Sequence, residues 1–378
     1  MKINKLLLEN FRNYSSLDID FSNDINIIYG ANAQGKTSIL ESFYYLSLLS
    51  SYRSHYDADL IKHNCEKFIV AAEYSDNDKK NSIKVLKSIL NKKRVCSVNN
   101  VDVSTRDFIG ELKVVSFSPD DLEIIKGEPA IRRRFINIQL SRINKYYYNL
   151  LVKFNAILKQ RNKLLKDIKE KKYASSTLEA WDYEYTQISL EIINQRRVFF
   201  ENFIPDVQIF FAKQVNVSRE TLTCEYKTNY ILDNELSKQE QINNFLLKLK
   251  SLHDVDIKKG STSVGPHKDD FIFSINGYES NKFASQGQQR SIILALKLAE
   301  INYIIKHTSE YPVLLLDDVL SELDDNKKKN FLFGLDKNLQ IFITVTELDL
   351  LPNDFLHNNS KVDVFEIKNA QVEKKSYG

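Results

Sequence analysis

Apolar positions in the first 30 residues fall in short runs or alternate with polar ones: Leu6-Leu7-Leu8, then Leu17-Asp18-Ile19-Asp20-Phe21, then Ile25 to Tyr29. A period of two predicts strands, and the tight spacing predicts an antiparallel hairpin leading into the third run. Residues 66–118 are again strand-rich, with Phe68–Val70, Ile83–Val85, Val95–Val98 and Val114–Phe117. The polar stretch Asp76–Ser82 and the pair Asn99-Asn100 are turn signals within it.

From about residue 130 the period lengthens. Tyr147, Leu150, Phe154, Ile157, Arg161, Leu164 and Ile168 recur at intervals of three and four, and so do Leu178, Trp181, Tyr185, Ile188, Ile192, Gln195 and Phe199. Lys169–Ser176, polar apart from Tyr173 and Ala174, separates the two seams. Two helices of roughly 25 to 30 residues, about 40 Å long, are predicted to pack as an antiparallel hairpin. Three to four heptads make an arm and not a long rod. Arg161 on the seam calls for a buried partner such as Glu184 or Glu191. Between 205 and 260 the pattern predicts a strand pair around Val207–Tyr226 and a helix near Gln239–Leu252. Beyond that, Phe271–Ile275 reads as a strand ended by Asn276-Gly277. Gln288–Lys306 reads as an apolar helix, and Val313–Leu316 and Ile341–Val345 as buried parallel strands.

The segment after the third strand adds chemistry to this pattern. Gly30-Ala31-Asn32-Ala33-Gln34-Gly35-Lys36-Thr37 is a full G-x-x-x-x-G-K-T loop, entered by a strand and left by a helix through Ser38. In that context the glycines let backbone N–H groups turn around phosphate oxygens, Lys36 reaches the β- and γ-phosphates, and the Thr37 hydroxyl takes a Mg²⁺ position. The helix N-terminus adds its positive end. The chain is expected to bind a nucleoside triphosphate.

The run Val313–Leu316 ends in Asp317-Asp318, a buried strand delivering carboxylates at its C-terminal end. That matches the Walker B arrangement, in which the first acid, Asp317, holds Mg²⁺ and the second, Asp318, polarises an attacking water. Both motifs would meet at the carboxyl edge of one sheet. Ser285-Gln286-Gly287-Gln288 opens the apolar helix. A serine there is ordinarily a plain N-cap, but a glycine two residues on also makes an anion site.

Composition narrows the class. The chain has 378 residues, 43% hydrophobic and 27% charged, as expected of a globular protein of two or three domains. A net charge of +3 means that any nucleic-acid surface is a local patch. Cys65, Cys96 and Cys224 form no C-x-x-C pair, so their spacing suggests neither a disulfide framework nor a zinc site. No apolar run approaches the ~18 residues of a membrane span, so a cytoplasmic protein without a membrane partner is expected.

The order of phosphate loop, S-x-G-Q helix start and LLLDD followed by Ser321-Glu322-Leu323-Asp324 resembles the heads of ABC-type ATPases. With a helical arm inserted in one chain it is similar to the SMC-like group, and more closely it resembles the RecF recombination-mediator family of bacteria. Supporting strings are Glu9–Tyr14, Tyr52-Arg53-Ser54, Ser118–Leu122, Lys126–Pro129, Arg132–Phe135, Leu158–Asn162, Trp181-Asp182 and Gly265–Asp270, in order over nearly the whole chain. The resemblance implies an α/β fold, an ABC-type P-loop ATPase head with an inserted helical arm: head residues 1–130 and 261–378, arm residues 131–260.

It further implies that two copies sandwich two nucleotides. Lys36, Thr37 and Asp317 of one copy would hold Mg-ATP, and Ser285, Gly287 and Gln288 of the other would contact the γ-phosphate. Arg53 would sense phosphate, or form a surface salt bridge. Asp318 stands where most of the superfamily has Glu, so hydrolysis should be slow, a switch rather than a motor. Ser321–Asp324 would be the D-loop. Thr346 lies near the usual position of a switch His, and the Gln-loop is open between Asp120, Asp121 and Gln139. His267 and Lys268 are either nucleotide-adjacent or a turn before a strand.

DNA is the second expected ligand. Lys153–Lys172 holds eight Lys/Arg against two acids, and Arg132-Arg133-Arg134 adds a cluster. A solvated helix face explains such runs by itself. The resemblance makes Arg132, Arg133, Arg134, Lys159, Lys163 and Lys166 candidates for phosphate contacts that are salt-sensitive and sequence-independent. It implies a DNA-stimulated weak ATPase of replication, repair and the response to DNA damage, acting at gapped or junction DNA with mediator partners to load recombinase. The ATPase subunit of a membrane importer and a P-loop kinase are the alternatives. The arm and the missing switch His count against the first, and ATP-dependent dimerisation would exclude the simplest form of the second.

Overall fold

The computed structural model describes residues 1–54, 56–76, 79–90, 93–214, 220–233, 235–352, 354–355 and 362–375. The chain forms two compact units, residues 1–121 with 296–378, and residues 122–295.

The first unit is built on a six-stranded sheet in the order Gln371–Lys375, Val362–Lys368, Ile25–Tyr29, Ile341–Val345, Val313–Asp317, Val114–Phe117. The last five run parallel, and Gln371–Lys375 is antiparallel at the edge. Continuous apolar runs suit strands covered on both faces: Val313 to Leu316, Phe342 and Ile343 are fully buried. The predicted parallel strands are therefore present. The strand Val114–Phe117 joins this sheet and not the antiparallel one that its neighbours in sequence form. Phe21, Phe43, Phe342 and Phe365 pack edge-on or tilted around a shared core.

A second, antiparallel sheet has the order Tyr14–Asp20, Lys2–Phe11, Lys67–Asp76, Lys79–Ser88, Val95–Val98, Val101–Val103. The expected hairpin is its first pair, with Leu6 opposite Ile19 and Leu8 opposite Leu17. That register puts four buried residues on one face.

The second unit holds helices Pro129–Ile143, Lys145–Lys169, Leu178–Gln214 and Lys238–Ser251, with a three-stranded sheet ordered Tyr278–Glu279, Asp270–Ile275, Leu222–Lys227. The helical hairpin is present, but its second helix has 37 residues and continues through Pro205 to Gln214. Val207 is thus helical, which corrects the strand pair expected from that point; residues 215–219 of that expectation lie outside the described residues. The strand Leu222–Lys227 pairs instead with Asp270–Ile275, Leu222 opposite Ile275.

The buried seams also differ in detail. On Lys145–Lys169 they pass from Arg161 to Leu165 rather than Leu164, as a straight 3.6-residue helix drifts from a strict heptad. On the partner helix the buried row is Asp182, Tyr185, Ser189, Ile192, Arg196, Phe199, Phe203, one residue away from Trp181 and Gln195. Charged residues occupy it because each is paired. Arg161, 0% exposed, donates to Asp182 (2.8 Å), Asp256 (3.1 Å) and the Thr262 hydroxyl (2.7 Å). Neither expected partner is used: Glu184 pairs with Lys153 at 3.1 Å and Glu191 accepts from Gln195. Arg196 likewise donates to Asp269 at 2.9 Å and to the Pro266 carbonyl.

Candidate nucleotide site

The loop Gly30–Gly35 joins the central strand Ile25–Tyr29 to the helix Lys36–Leu48, at the carboxyl edge of the parallel sheet. Three of its residues, Gly30 (φ 149°), Ala33 (64°) and Gly35 (118°), have positive φ, which turns successive backbone N–H groups toward one concavity. Glycine is required twice over. A Cβ at Gly30 would stand 2.4 Å from the Ile367 carbonyl oxygen, and one at Gly35 would stand 2.7 Å from Asn13 Nδ2 and the Tyr14 hydroxyl. The loop is braced from the C-terminal hairpin, whose Asn369 N–H donates to Gln34 Oε1 (2.6 Å) and Ala370 N–H to the Gln34 carbonyl (3.1 Å).

Lys36 folds its ammonium back onto the Gly30 and Ala31 carbonyls, at 2.5 and 2.9 Å. Burial lowers its pKa, and the Asp318 and Asp317 carboxylates oppose that shift. Asp317, at the end of Val313–Asp317, collects three hydroxyls: Thr37 (3.0 Å) and Thr344 (2.8 Å) on Oδ1, and Tyr52 (3.0 Å) on Oδ2. Burial pushes its carboxyl up, while the three hydroxyl donors and Arg53 pull it down. Asp318 has a left-handed backbone (φ 55°), its N–H donates to Thr344 Oγ1 at 2.9 Å, and its Oδ1 is buried without a protein partner.

Asn32, Gly35, Lys36, Thr37, Arg53 and Asp318 line one cavity of about 480 Å³. The phosphate loop and the acidic strand end expected from the sequence are therefore brought to one place, and Arg53 opens onto it rather than onto a distant surface. Two further lining residues escape a reading of the sequence. Arg12 reaches the cavity while paired to buried Glu41 at 2.8 and 2.6 Å. Thr344 carries the contacts that attention to Thr346 misses. Arg12 follows directly on the strand Lys2–Phe11, where an apolar pattern stops, whereas Thr344 lies inside a buried apolar strand and no local pattern marks it.

Ser285, Gly287 and Gln288 belong to the second unit. Ser285 caps the helix Gln286–Thr308: its Oγ accepts from Gln288 N–H at 3.2 Å, and its own N–H donates to Gln288 Oε1 at 2.7 Å. This reciprocal cap holds Ser285 at the start of the helix. Ser321 donates to the Asp318 carbonyl at 2.7 Å, tying the segment Ser321–Asp324 to the acids. Asp121 accepts from Lys297 (2.7 Å) and the Ser118 N–H (2.7 Å), a buried structural pair, while Gln139 is buried within Pro129–Ile143.

The basic clusters separate. Arg132, 6% exposed, holds Asp270 through Nε (2.6 Å) and Nη2 (2.9 Å) and the Gly127 carbonyl through Nη1. It cannot reach a DNA phosphate without breaking a buried pair, which corrects its expected role. Arg133 is half-buried and donates to the Asp269 carbonyl at 2.9 Å, and Arg134 is half-buried and partnered. Lys159, Lys163 and Lys166 are spaced four and three apart on Lys145–Lys169, and all three are exposed. His267 lies in the turn Pro266–Lys268 before the strand Asp270–Ile275 of the second unit, where Nε2 donates to the Thr262 carbonyl at 2.9 Å and burial pushes its pKa down to about 4.

Comparison with known proteins places this geometry in a family. The family model for the RecF/RecN/SMC N-terminal domain matches residues 2–366. The "DNA replication and repair protein RecF" of Natranaerobius thermophilus is 36% identical over 100% of this chain and 99% of its own. The protein of the same name from Streptococcus suis is 39% identical over 98% and 99%. A solved structure of the recombination mediator protein RecF in its ATPrS form, described as part of the RecFOR pathway, superposes with a TM-score of 0.90 at 34% identity, covering 99% of this chain and 98% of that one. An Smc head bound to the C-winged helix domain of ScpA matches at TM-score 0.55 and 17% identity, a likeness of fold alone.

Proposed function

The chain belongs to the RecF/RecN/SMC N-terminal domain family, and on that premise we propose that it is an ATP-dependent DNA-binding protein of replication and recombinational repair. The single observation that carries the reading is the 3.0 Å contact between Thr37 and Asp317, which joins the phosphate loop to the acidic strand end. The names of its full-length relatives and a solved structure of a RecF protein with ATP support the same conclusion.

In this reading the backbone N–H groups of Gly30 to Ser38 surround the β- and γ-phosphates, and Lys36 exchanges its two carbonyl partners for phosphate oxygens. The donor set fits Mg²⁺: hard oxygens of Thr37 and Asp317 lie together, and buried Asp318 Oδ1 lacks a protein partner. When bound there, the ion neutralises charge that develops on the transferred phosphoryl group. Thr37 and Asp317 hold it, and Asp318 orients the attacking water. Arg53 reads the phosphate end of the cavity.

Ser285, Gly287 and Gln288 of a second copy close the site, so that dimerisation depends on the γ-phosphate and hydrolysis releases it. The shorter Asp318 in place of Glu makes turnover slow, a weak ATPase stimulated by DNA. Residues 1–130 and 261–378 act as the head and 131–260 as the arm. Lys159, Lys163 and Lys166 track phosphates of double-stranded DNA beside a gap or junction, where mediator partners load recombinase in the cytoplasm. ATP hydrolysis with and without gapped duplex tests the reading: stimulation supports it, and indifference to every DNA contradicts it.

A further inference from the structure

Among the groups that bear on the acids, Tyr52 and Thr344 belong to neither the phosphate loop nor the acidic strand end. Thr344 lies in Ile341–Val345, the strand between them, in register with Asp317 on one side and Ile28 on the other. It is 1% exposed. Its hydroxyl has one proton and two acceptors in range, Asp317 Oδ1 at 2.8 Å and the Leu316 carbonyl at 3.4 Å. The shorter and charged acceptor takes the proton. A lone pair on the same oxygen then accepts the Asp318 N–H at 2.9 Å.

We infer that Thr344 is the positioning residue that fixes the two acids relative to each other, so that Asp317 can hold the cation only while Asp318 faces the γ-phosphate.

The backbone supplies the reason such a device is needed. Asp318 sits at φ 55°, a conformation that L residues other than glycine rarely hold without support. The Thr344 bond is the support, because it fixes the peptide N–H just ahead of that residue's side chain. Asp318 Oδ1 is thereby held buried beside the cavity without a protein partner, and Thr344 lines the same cavity. Thr37 and Tyr52 also donate to Asp317, through bonds that end on its carboxylate. Of these three hydroxyls, Thr344 is the one that bonds to both acids.

The inference rests on the ATPase reading above, and the test separates the two. Thr344→Val keeps the shape and removes the hydroxyl, whereas Thr344→Ser keeps it. Single-turnover hydrolysis in Thr344→Val should fall about tenfold to a hundredfold, as for loss of a bond to a charged group. ATP affinity measured without Mg²⁺ should stay within about twofold, and Thr344→Ser should recover to within about threefold of the parent. Because Thr344 acts through Asp318, the double variant with Asp318→Asn should hydrolyse no slower than Asp318→Asn alone. A crystal structure of Thr344→Val should show Asp318 out of the left-handed region. Parent-like hydrolysis by a folded Thr344→Val, multiplicative losses in the double variant, or an unmoved Asp318 backbone overturns the inference. A parent protein that never hydrolyses ATP overturns the ATPase reading instead, and the Asp318 backbone in Thr344→Val then decides the inference.

Discussion

Thr37 Oγ1 donates to Asp317 Oδ1 over 3.0 Å although 280 residues separate them. The strands that lead to each residue lie two places apart in the parallel sheet, with Ile341–Val345 between them. Most of the antiparallel sheet and all of the arm lie in sequence between these two positions, and none of it is needed to explain their meeting. The sheet register does that.

Lys36 bonds to the Gly30 and Ala31 carbonyls, acceptors that other donors can satisfy. Lys36→Ala should therefore leave stability without nucleotide within about 0.5 kcal/mol of the parent, while lowering ATP affinity about tenfold or more. Calorimetric titration with ATP beside a denaturation curve checks both halves.

Two glycines give a matched pair. Gly30 and Gly277 both have positive φ, but a Cβ at Gly30 meets the Ile367 carbonyl oxygen at 2.4 Å, and one at Gly277 meets nothing within 4 Å. Gly277→Ala should cost about 1–2 kcal/mol from its left-handed backbone alone, with ATP binding intact. Gly30→Ala should displace the phosphate loop and abolish measurable ATP binding. Denaturation curves and ATP titrations of the two variants separate these outcomes.

In the arm, Arg161→Met would leave Asp182 and Asp256 buried without their cation. A loss of about 3–5 kcal/mol is expected, because removing one partner strands the other charge in low dielectric. Trp181, the single tryptophan of the chain, precedes Asp182 and reports the transition by fluorescence. Adding Asp182→Asn and Asp256→Asn to Arg161→Met should restore part of the stability.

His267 sets a pH dependence. Its pKa in the folded chain lies at about 4, below the ordinary 6.5, chiefly because burial disfavours the charged ring. The unfolded chain thus binds a proton that the folded one refuses. The contribution is complete above about pH 6.5 and is lost as pH falls toward 4, at most about 3 kcal/mol. His267→Gln should be less stable than the parent near neutrality and show a shallower decline between these limits in urea titrations.

The basic residues should divide by burial. Lys159→Gln, Lys163→Gln and Lys166→Gln together should weaken duplex binding and reduce the slope of log affinity against log salt by about two to three, without loss of stability. Arg132→Gln should instead destabilise the fold, since it breaks the buried pair with Asp270. Fluorescence anisotropy across a salt series separates the two effects.

Where chemistry and period coincide, the chain is legible without coordinates. The phosphate loop, the strands Val313–Asp317 and Ile341–Val345 and the helical hairpin are each marked by a motif or a clean repeat. Errors arise where polar groups are buried in pairs. The seam through Asp182 and Arg196 lies one residue from the heptad row, because a hydrophobic pattern does not register an ion pair. The same blindness assigns Arg161 to glutamates that in the fold serve Lys153 and Gln195. Arg132 looks like part of a basic patch until Asp270, 138 residues away, is brought against it. Thr344 hides inside an apolar strand, and its importance depends on a register that no local pattern carries.

At the centre of the proposed mechanism, ATP closes a dimer through Ser285 of one copy and the phosphate loop of the other. Light scattering of the full chain with ATP, with ADP and without nucleotide measures this closure most directly, alongside Asp318→Asn and Ser285→Arg. A doubling of mass with ATP alone, retained by Asp318→Asn and lost in Ser285→Arg, is the predicted result. A monomer under every condition, with ATP binding confirmed, would contradict it.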